Sequence, residues 1–266
     1  MLPAMLRRLL HEWSTVLLPT TCLGCKRPFQ PNHEFMPSAN PAGVELASAL
    51  QNAIAGAFCP RCRERCTVVA SPLCTRCGLV FKSRTGHDHL CGRCLERDGN
   101  VTRARAAGIY DRSLRTAIHA LKFKGQVTLA RPLGALLWQA YRHHWPNGDI
   151  DLVAPVPLYR RRMRQRGFNQ AYLLVRDWRL PAGTVIDREL LARTRDTQPQ
   201  TGLDRRQRQS NIKNAFAVNH RGPLAGRRVL LVDDVLTTGA TAEACAAVLM
   251  RSGAARVDVL TLARAL

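Results

Sequence analysis

The chain has 266 residues, which is enough for one large domain or two modest ones with a buried core. Hydrophobic residues make up 46% and charged residues 22%, as in ordinary globular proteins. No stretch reaches the ~18 consecutive apolar residues that a membrane span needs. Forty Lys and Arg against nineteen Asp and Glu give a net charge of +21, which favours polyanionic partners such as nucleic acid, anionic lipid headgroups or phosphorylated small molecules. A basic surface without one dedicated partner is the alternative.

Residues 1–20 are predicted to form an amphipathic helix. Its apolar side chains recur at helical spacing on one side, at Leu2, Met5, Leu6, Leu9, Leu10 and Trp13. Charged residues interrupt the apolar run and no small-residue cleavage site follows, so the segment does not have the pattern of a signal peptide. We therefore expect a cytoplasmic protein.

Residues 21–97 hold nine of the ten cysteines, and eight of these form four C-x-x-C pairs. Each C-x-x-C turn directs two thiolates at one point, and two turns complete a tetrahedron around Zn²⁺. We predict a double zinc ribbon whose two ions are bound in chain order by Cys22, Cys25, Cys59 and Cys62, and by Cys74, Cys77, Cys91 and Cys94. Crossed pairing and iron–sulfur ligation stay open. Four thiolates leave no position for water, so both ions are expected to be structural.

Three further residues in this region are spare candidate ligands, namely Cys66, His87 and His89. A loop is predicted over residues 30–52, between the first two cysteine pairs, because it contains three prolines and a glycine. Residues 44–51 within it favour a helical turn.

Residues 98–266 are predicted to form an α/β domain. Strand-like segments at 105–110, 152–156, 227–232 and 257–262 alternate with helical periodicity at 112–123, 129–142, 171–178 and 241–252. Such alternation predicts a parallel sheet flanked by helices.

The segment from Val229 to Thr241 is the most informative stretch of this domain. A buried strand delivers Asp233 and Asp234 to its carboxyl end, a small hydroxyl-rich turn follows, and a helix begins at once. Backbone N–H groups and the dipole of a helix N-terminus favour a phosphate there, and Gly239 allows close backbone approach. The alternative is a strand–turn–helix with capping threonines only, although capping alone does not need the paired acids.

Two acids before a Thr-Thr-Gly-Ala-Thr turn closely resemble the phosphoribosyl-diphosphate motif of type I phosphoribosyltransferases. By that resemblance, Asp233 and Asp234 bind the ribose hydroxyls. The 5-phosphate is then bound by Thr237, Thr238, Gly239, Ala240 and Thr241.

Further segments extend the resemblance to nearly the whole chain. They are the Asp-Leu-Val-Ala-Pro-Val-Pro run from Asp151, the Arg-rich stretch that ends in Arg-Gly-Phe-Asn-Gln at Gln170, the segment 193–203, and Asn-Ile-Lys-Asn-Ala-Phe at 211–216. Together with the cysteines they resemble the ComF family, which includes GntX-like proteins. The resemblance implies a type I phosphoribosyltransferase-like sheet preceded by a double zinc ribbon.

In such folds the loop after an early strand holds the diphosphate. Here the matching residues are Pro157, Leu158, Tyr159 and Arg160, and Lys122 and Lys124 are further candidates. Arginine suits a diphosphate because its guanidinium can bind phosphate oxygens in bidentate fashion. A solvated basic face or a nucleic-acid patch is the alternative. The polar segment 196–208 resembles a mobile loop that closes over such sites.

Two functions are compatible with the resemblance. In the first, the protein binds phosphoribosyl diphosphate with Mg²⁺ and acts in DNA uptake and natural competence, with single-stranded DNA and a competence helicase as partners. In the second, it is an active phosphoribosyltransferase of nucleotide metabolism whose acceptor base is unknown. No catalytic residue stands out. An aromatic content of 6% is low for a single-strand platform, on which bases usually stack.

Overall fold

The structure, a computed structural model, describes residues 20–30, 46–83, 85–196, 214–219 and 224–266. The helix predicted for residues 1–20 lies outside the described residues except for Thr20, as does most of the segment 196–208. Among the described helices, none is both long and apolar enough to cross a membrane.

The cysteine-rich region consists of short elements around the C-x-x-C turns. They are an antiparallel pair, β1 (Thr20–Thr21) with β2 (Pro28–Phe29), and three helices, α1 (Leu46–Ala53), α2 (Pro60–Arg63) and α3 (Gly92–Glu96). The helical turn predicted at 44–51 is thus a helix two residues further along the chain. Cys59 and Cys91 each directly precede a short helix, so in two of the four C-x-x-C pairs one thiolate lies at a helix start.

The centre of the molecule is a parallel sheet of five strands in the order β3-β9-β8-β4-β5. Its strands are β3 (Arg103–Ile109), β4 (Leu152–Pro155), β5 (Val185–Ile186), β8 (Arg228–Leu236) and β9 (Arg256–Arg264). Two short strands, β6 (Leu191–Arg193) and β7 (Phe216–Val218), form a separate antiparallel pair. The sheet confirms the predicted α/β class, although strand β8 continues four residues beyond the predicted end at 232.

Helices cover both faces of the sheet. One face packs against α4 (Arg112–Lys124), α5 (Ala130–His144) and α7 (Gln170–Val175), and the other against α8 (Ala240–Arg251) and the β6–β7 pair. Successive side chains of β8 point to opposite faces of the sheet, which explains this arrangement. Leu230 and Val232 belong to the core on the first face, and Val229 and Leu231 belong to the core on the second face. A seven-residue helix, α6 (Arg160–Arg166), follows β4.

The cysteine-rich region packs directly on the sheet domain. Cys22, Phe58 and Cys62 belong to the same buried core as helices α4 and α5. The backbone of residues 67–69 also pairs with the edge strand β3, through N–H···O bonds of 2.8 Å from Ile109 to Thr67 and 3.3 Å from Val69 to Ala107. An exposed sheet edge invites aggregation, so this pairing also protects strand β3.

Candidate functional site

A cleft of about 720 Å³ opens at the carboxyl end of the parallel strands. The end of β8 and the start of α8 form its floor, the segment after β4 with helix α6 forms one wall, and helix α4 contributes another. This is the edge at which open α/β sheets bind ligands, because the connections of neighbouring strands diverge there.

Strand β8 brings the two predicted acids into this cleft. Asp234 is 3% exposed, whereas Asp233 is partly exposed, and its Oδ1 accepts a hydrogen bond of 2.8 Å from the backbone N–H of Asp234. Gly239 then adopts the left-handed conformation at φ 83°, which lets the chain turn into helix α8. The side-chain oxygen of Thr238 accepts a hydrogen bond from the N–H of Ala240 at 3.4 Å.

Most residues predicted to bind the sugar phosphate lie together. Those that line the cleft are Asp233, Asp234, Thr237, Gly239, Ala240 and Thr241. Thr238 does not line it, and its hydroxyl oxygen accepts the hydrogen bond from Ala240 at the first residue of helix α8. The cleft therefore combines two carboxylates with a helix N-terminus, a set of groups that can bind sugar hydroxyls and an anion side by side.

Lys122 connects helix α4 to the acidic pair. Its Nζ lies 2.6 Å from Oδ2 of Asp234, and both side chains are largely buried. Burial lowers the pKa of Lys122 to about 8, Asp233 opposes this shift, and Arg166 and Arg162 add to it. Burial likewise raises the pKa of Asp233 to about 6, against the attraction of Lys122, Arg193 and Arg166. Cations thus surround the two acids on several sides.

The structure divides the predicted diphosphate residues into two groups. Pro157, Leu158 and Lys122 line the cleft, whereas Tyr159, Arg160 and Lys124 do not, and Arg160 and Lys124 are exposed to solvent. Among the residues that the structure describes, the cationic groups that line the cleft besides Lys122 are Arg162, Arg166 and Arg193.

Sequence reasoning gave no binding role to Arg166 or Arg193. Burial lowers the pKa of both guanidinium groups, and Arg166 donates a hydrogen bond to Gln170. Both arginines lie in segments that resemble the ComF family, and this resemblance was the sequence signal that could have identified them. Whether their side chains point toward the cleft is decided by the packing of helix α6 and strand β6.

The eight paired cysteines form two compact groups in chain order, Cys22 with Cys25, Cys59 and Cys62, and Cys74 with Cys77, Cys91 and Cys94. Within each group all sulfur atoms lie within 4.8 Å of one another. Cys25 Sγ is 3.8 Å from Cys59 Sγ, and Cys77 Sγ is 3.7 Å from Cys91 Sγ. A tetrahedral zinc ion with Zn–S bonds of about 2.3 Å requires S···S separations of about 3.8 Å. Both groups could therefore hold zinc.

Backbone N–H groups point at one sulfur in each group. Cys22 Sγ accepts from the N–H of Cys59, and Cys74 Sγ accepts from the N–H groups of Cys77 and Cys91, all at 3.4 Å. Burial alone would raise the pKa of Cys22 and Cys74, but these backbone groups outweigh it and lower both pKa values to about 6. Such support for the thiolate is what a metal ligand needs.

The spare candidates lie outside both sulfur groups. Burial raises the pKa of the Cys66 thiol to about 11, so it carries little thiolate character. The imidazole of His89 stacks on Phe81, with ring centroids 4.1 Å apart, and its Nδ1 is 2.9 Å from the carbonyl oxygen of His87.

A parallel α/β sheet flanked by helices and preceded by two Cys₄ groups defines a type I phosphoribosyltransferase-like protein with a double zinc ribbon. No family model matches the chain. It is similar to DNA utilization protein YhgH of Escherichia coli (strain K12), with 38% identity over 213 residues that cover 79% of this chain and 91% of the relative.

Two competence proteins are also similar to this chain. Competence protein F of Haemophilus influenzae is 32% identical over 212 residues, or 78% of this chain and 90% of the relative. Competence protein ComFC of Bacillus subtilis (strain 168) is 27% identical over 210 residues, or 72% and 84% of the two chains. The chain therefore belongs to the ComF family.

Proposed function

We propose that this protein binds phosphoribosyl diphosphate together with Mg²⁺ and acts in DNA uptake. The observation that carries the proposal is the cleft in which two acids, a helix N-terminus and several cations converge. The role in DNA uptake is supported by the relatives, which are named for DNA utilization and competence.

Each part of the ligand has a matching group in this proposal. Asp233 and Asp234 accept hydrogen bonds from the ribose hydroxyls, and the turn from Thr237 to Thr241 binds the 5-phosphate at the start of α8. The diphosphate lies beside Pro157 and Leu158, where Arg162 and Arg166 of helix α6 supply positive charge.

Mg²⁺ fits this site because proteins usually bind it through one or two carboxylates together with phosphate oxygens of the ligand. Asp233 is the matching carboxylate, since it lines the cleft and keeps part of its surface exposed. When bound, Mg²⁺ would neutralise charge on the diphosphate.

An active phosphoribosyltransferase is the second candidate, and the cations near the segment after β4 favour it. In that reaction the bond between the ribose anomeric carbon and diphosphate breaks, and its electron pair leaves with the diphosphate. A nitrogen of the acceptor base forms the new bond and releases its proton to solvent. Arg162 and Arg166 would stabilise the leaving group.

Single-stranded DNA is the macromolecular partner that charge favours. The chain carries +21, and helix α6 presents Arg160, Arg161 and Arg164 to solvent. Phosphate neutralisation by such groups gives binding without sequence preference. A competence helicase is a further partner in this proposal, and this part of the proposal rests on the family resemblance.

Calorimetric titration with phosphoribosyl diphosphate and Mg²⁺ tests the site. We expect the wild-type protein to bind and the double variant Asp233→Ala, Asp234→Ala to show no measurable binding, because the ribose hydroxyls lose their acceptors. The double variant Asp177→Ala, Glu189→Ala removes the same charge from exposed positions and should bind like the wild type. A wild-type protein that does not bind phosphoribosyl diphosphate would overturn the proposal.

A further inference from the structure

Three aromatic side chains form one side of the cleft, and the proposed sugar and phosphate contacts do not use them. Tyr110, His119 and Phe123 all line it. Phe123 is 68% exposed, so a large apolar ring faces the open cleft. We refer to these three residues as the aromatic wall.

The members of the aromatic wall hold one another in place. A hydrogen bond of 2.7 Å joins the Tyr110 hydroxyl and Nε2 of His119. His119 and Phe123 are four residues apart on helix α4, and their rings meet edge to face with centroids 5.3 Å apart. The backbone N–H of Tyr110 donates to the carbonyl oxygen of Arg264 at 2.8 Å, which fixes the far end of the wall.

Cations lie beside the aromatic wall. Burial lowers the pKa of His119, and Lys122 and Arg115 lower it further, which favours the neutral imidazole. The guanidinium carbon of Arg166 lies 5.5 Å from the centre of the Phe123 ring, within the range of a cation–π contact. The guanidinium lies over one face of the Phe123 ring, and the exposed remainder of the ring is the surface open to a flat ligand.

The position of the wall relates it to the proposed sugar site. Phe123 directly follows Lys122, whose Nζ contacts Asp234. Tyr110 follows strand β3, and the predicted diphosphate residues follow strand β4, while β8 with its two acids lies between these strands in the sheet. A group attached to the sugar on the side away from the diphosphate would therefore point toward the wall.

We propose that Tyr110, His119 and Phe123 bind a planar nucleobase next to the sugar held by the acidic pair. The proposal rests on the proposed function for the place of the sugar. The base is either that of a free nucleotide or one base of a single-stranded DNA. In both cases the chemistry is the same, namely stacking on Phe123 and hydrogen bonding to the Tyr110–His119 pair.

The proposal is tested with 2-aminopurine riboside 5′-monophosphate, whose fluorescence is quenched when the base stacks. The wild-type protein should quench it, and Phe123→Ala should weaken binding about tenfold, as expected for the loss of one stacking partner. Val185→Ala is the matched control, because Val185 is also a large exposed apolar residue, at 54%, and lies on strand β5 away from the cleft lining. Since Phe123 is mostly exposed, the variant should fold normally.

A second probe distinguishes the two sources of the base. A single-stranded oligonucleotide with one internal 2-aminopurine is titrated into the same three proteins. If the loss in Phe123→Ala appears with the monophosphate alone, the wall takes the base of a free nucleotide, and if it appears with the oligonucleotide, it takes a base of DNA. Equal affinities of Phe123→Ala and Val185→Ala for both probes would overturn the proposal, as would a wild-type protein that binds neither probe.

Titration with ribose 5-phosphate separates this inference from the proposed function. Ribose 5-phosphate carries no base, so Phe123→Ala should bind it like the wild type. Normal binding of ribose 5-phosphate with no effect of Phe123→Ala on either probe rejects the aromatic wall alone. Absence of ribose 5-phosphate binding in the wild type rejects the proposed sugar site instead.

Discussion

At the scale of single residues, the ionised carboxylate of Asp233 lowers the stability of the folded protein because of where it lies. It lies in the cleft beside the buried Asp234, and burial raises its pKa to about 6 from the ordinary value of 3.8. An acid whose pKa is raised on folding favours the folded state when protonated and costs stability when ionised. In the proposed complex the ionised form is nevertheless the one that accepts hydrogen bonds from the sugar hydroxyls at neutral pH, so the charge that the proposed binding needs is the charge that lowers folding stability.

Replacing Asp233 by Asn should therefore stabilise the protein. The amide oxygen can still accept the hydrogen bond from the N–H of Asp234, while the ionised carboxylate is removed. We expect the free energy of unfolding to rise by about 1–3 kcal/mol at pH 7.5. The gain should be about half as large at pH 5, because wild-type Asp233 is then mostly protonated in the folded state and the penalty grows only as pH rises from about 4 to 6.

Urea unfolding of both proteins between pH 5 and pH 7.5 measures this difference. Asp177→Asn, at an exposed position, is the control and should change the unfolding free energy little at either pH. If Asp233→Asn raised the free energy of unfolding equally at every pH, or lowered it, the ionised carboxylate would not be the source of the lost stability.

At the scale of elements, helix α6 has two sides with different surroundings. Its seven residues include five arginines, of which Arg162 and Arg166, four positions apart, line the cleft. Arg160 and Arg164 are exposed and do not line it. The periodicity of the helix thus separates arginines that face the cleft from arginines that face solvent.

The exposed side of α6 should influence DNA binding and not sugar-phosphate binding. If Arg160 and Arg164 each contact one phosphate of single-stranded DNA, their joint replacement by Ala should reduce the slope of log affinity against log salt by about 1.4. Affinity for phosphoribosyl diphosphate should stay unchanged. Fluorescence anisotropy with a labelled oligonucleotide at several salt concentrations gives the slope.

The double variant Arg179→Ala, Arg251→Ala removes the same charge from exposed positions outside α6 and is the control. The same slope in the α6 variant and in this control would show that α6 makes no specific phosphate contacts. A loss of sugar-phosphate affinity in the α6 variant would contradict the separation of its two sides.

At the scale of the whole molecule, the two Cys₄ groups are integrated to different degrees. The first contributes Cys22 and Cys62 to the main core, and the carbonyl oxygen of Cys62 accepts a hydrogen bond of 2.7 Å from the hydroxyl of Ser113 on α4. The second adjoins a small cluster of Val69, Leu73, Ala106 and Ile109. The backbone carbonyl of its Cys94 accepts a hydrogen bond from Arg76.

Loss of the first metal group should therefore damage the protein more than loss of the second. We expect Cys62→Ser and Cys94→Ser each to lose about one zinc ion per chain from a wild-type content of about two. The melting temperature should fall about 4 °C further for Cys62→Ser, because its group shares the main core. Metal analysis with thermal unfolding tests this, and Cys66→Ser, outside both groups, should keep both ions. Equal melting temperatures for Cys62→Ser and Cys94→Ser would contradict the difference in integration.

Local patterns in the chain were sufficient for several features. The C-x-x-C spacings predicted two Cys₄ groups because two ligands with two residues between them converge whatever the surrounding fold does. Alternating strand and helix periodicity predicted a parallel sheet flanked by helices, and the structure confirms this class. The acids before a glycine-containing turn at the start of α8 were also visible, since strand, turn and helix follow one another directly in the chain.

The rest of the cleft depended on contacts between distant segments. Lys122 and Asp234 are far apart in sequence and meet only because α4 packs over the end of β8. Arg193 reaches the cleft from a three-residue strand too short to show periodicity, and the aromatic wall joins a strand end to a helix face. The sequence by itself thus determined the two Cys₄ groups, the α/β class and the acidic turn. Only the tertiary structure decided which cations and aromatic rings surround that turn, because strand order and helix packing, and not local spacing, bring them together.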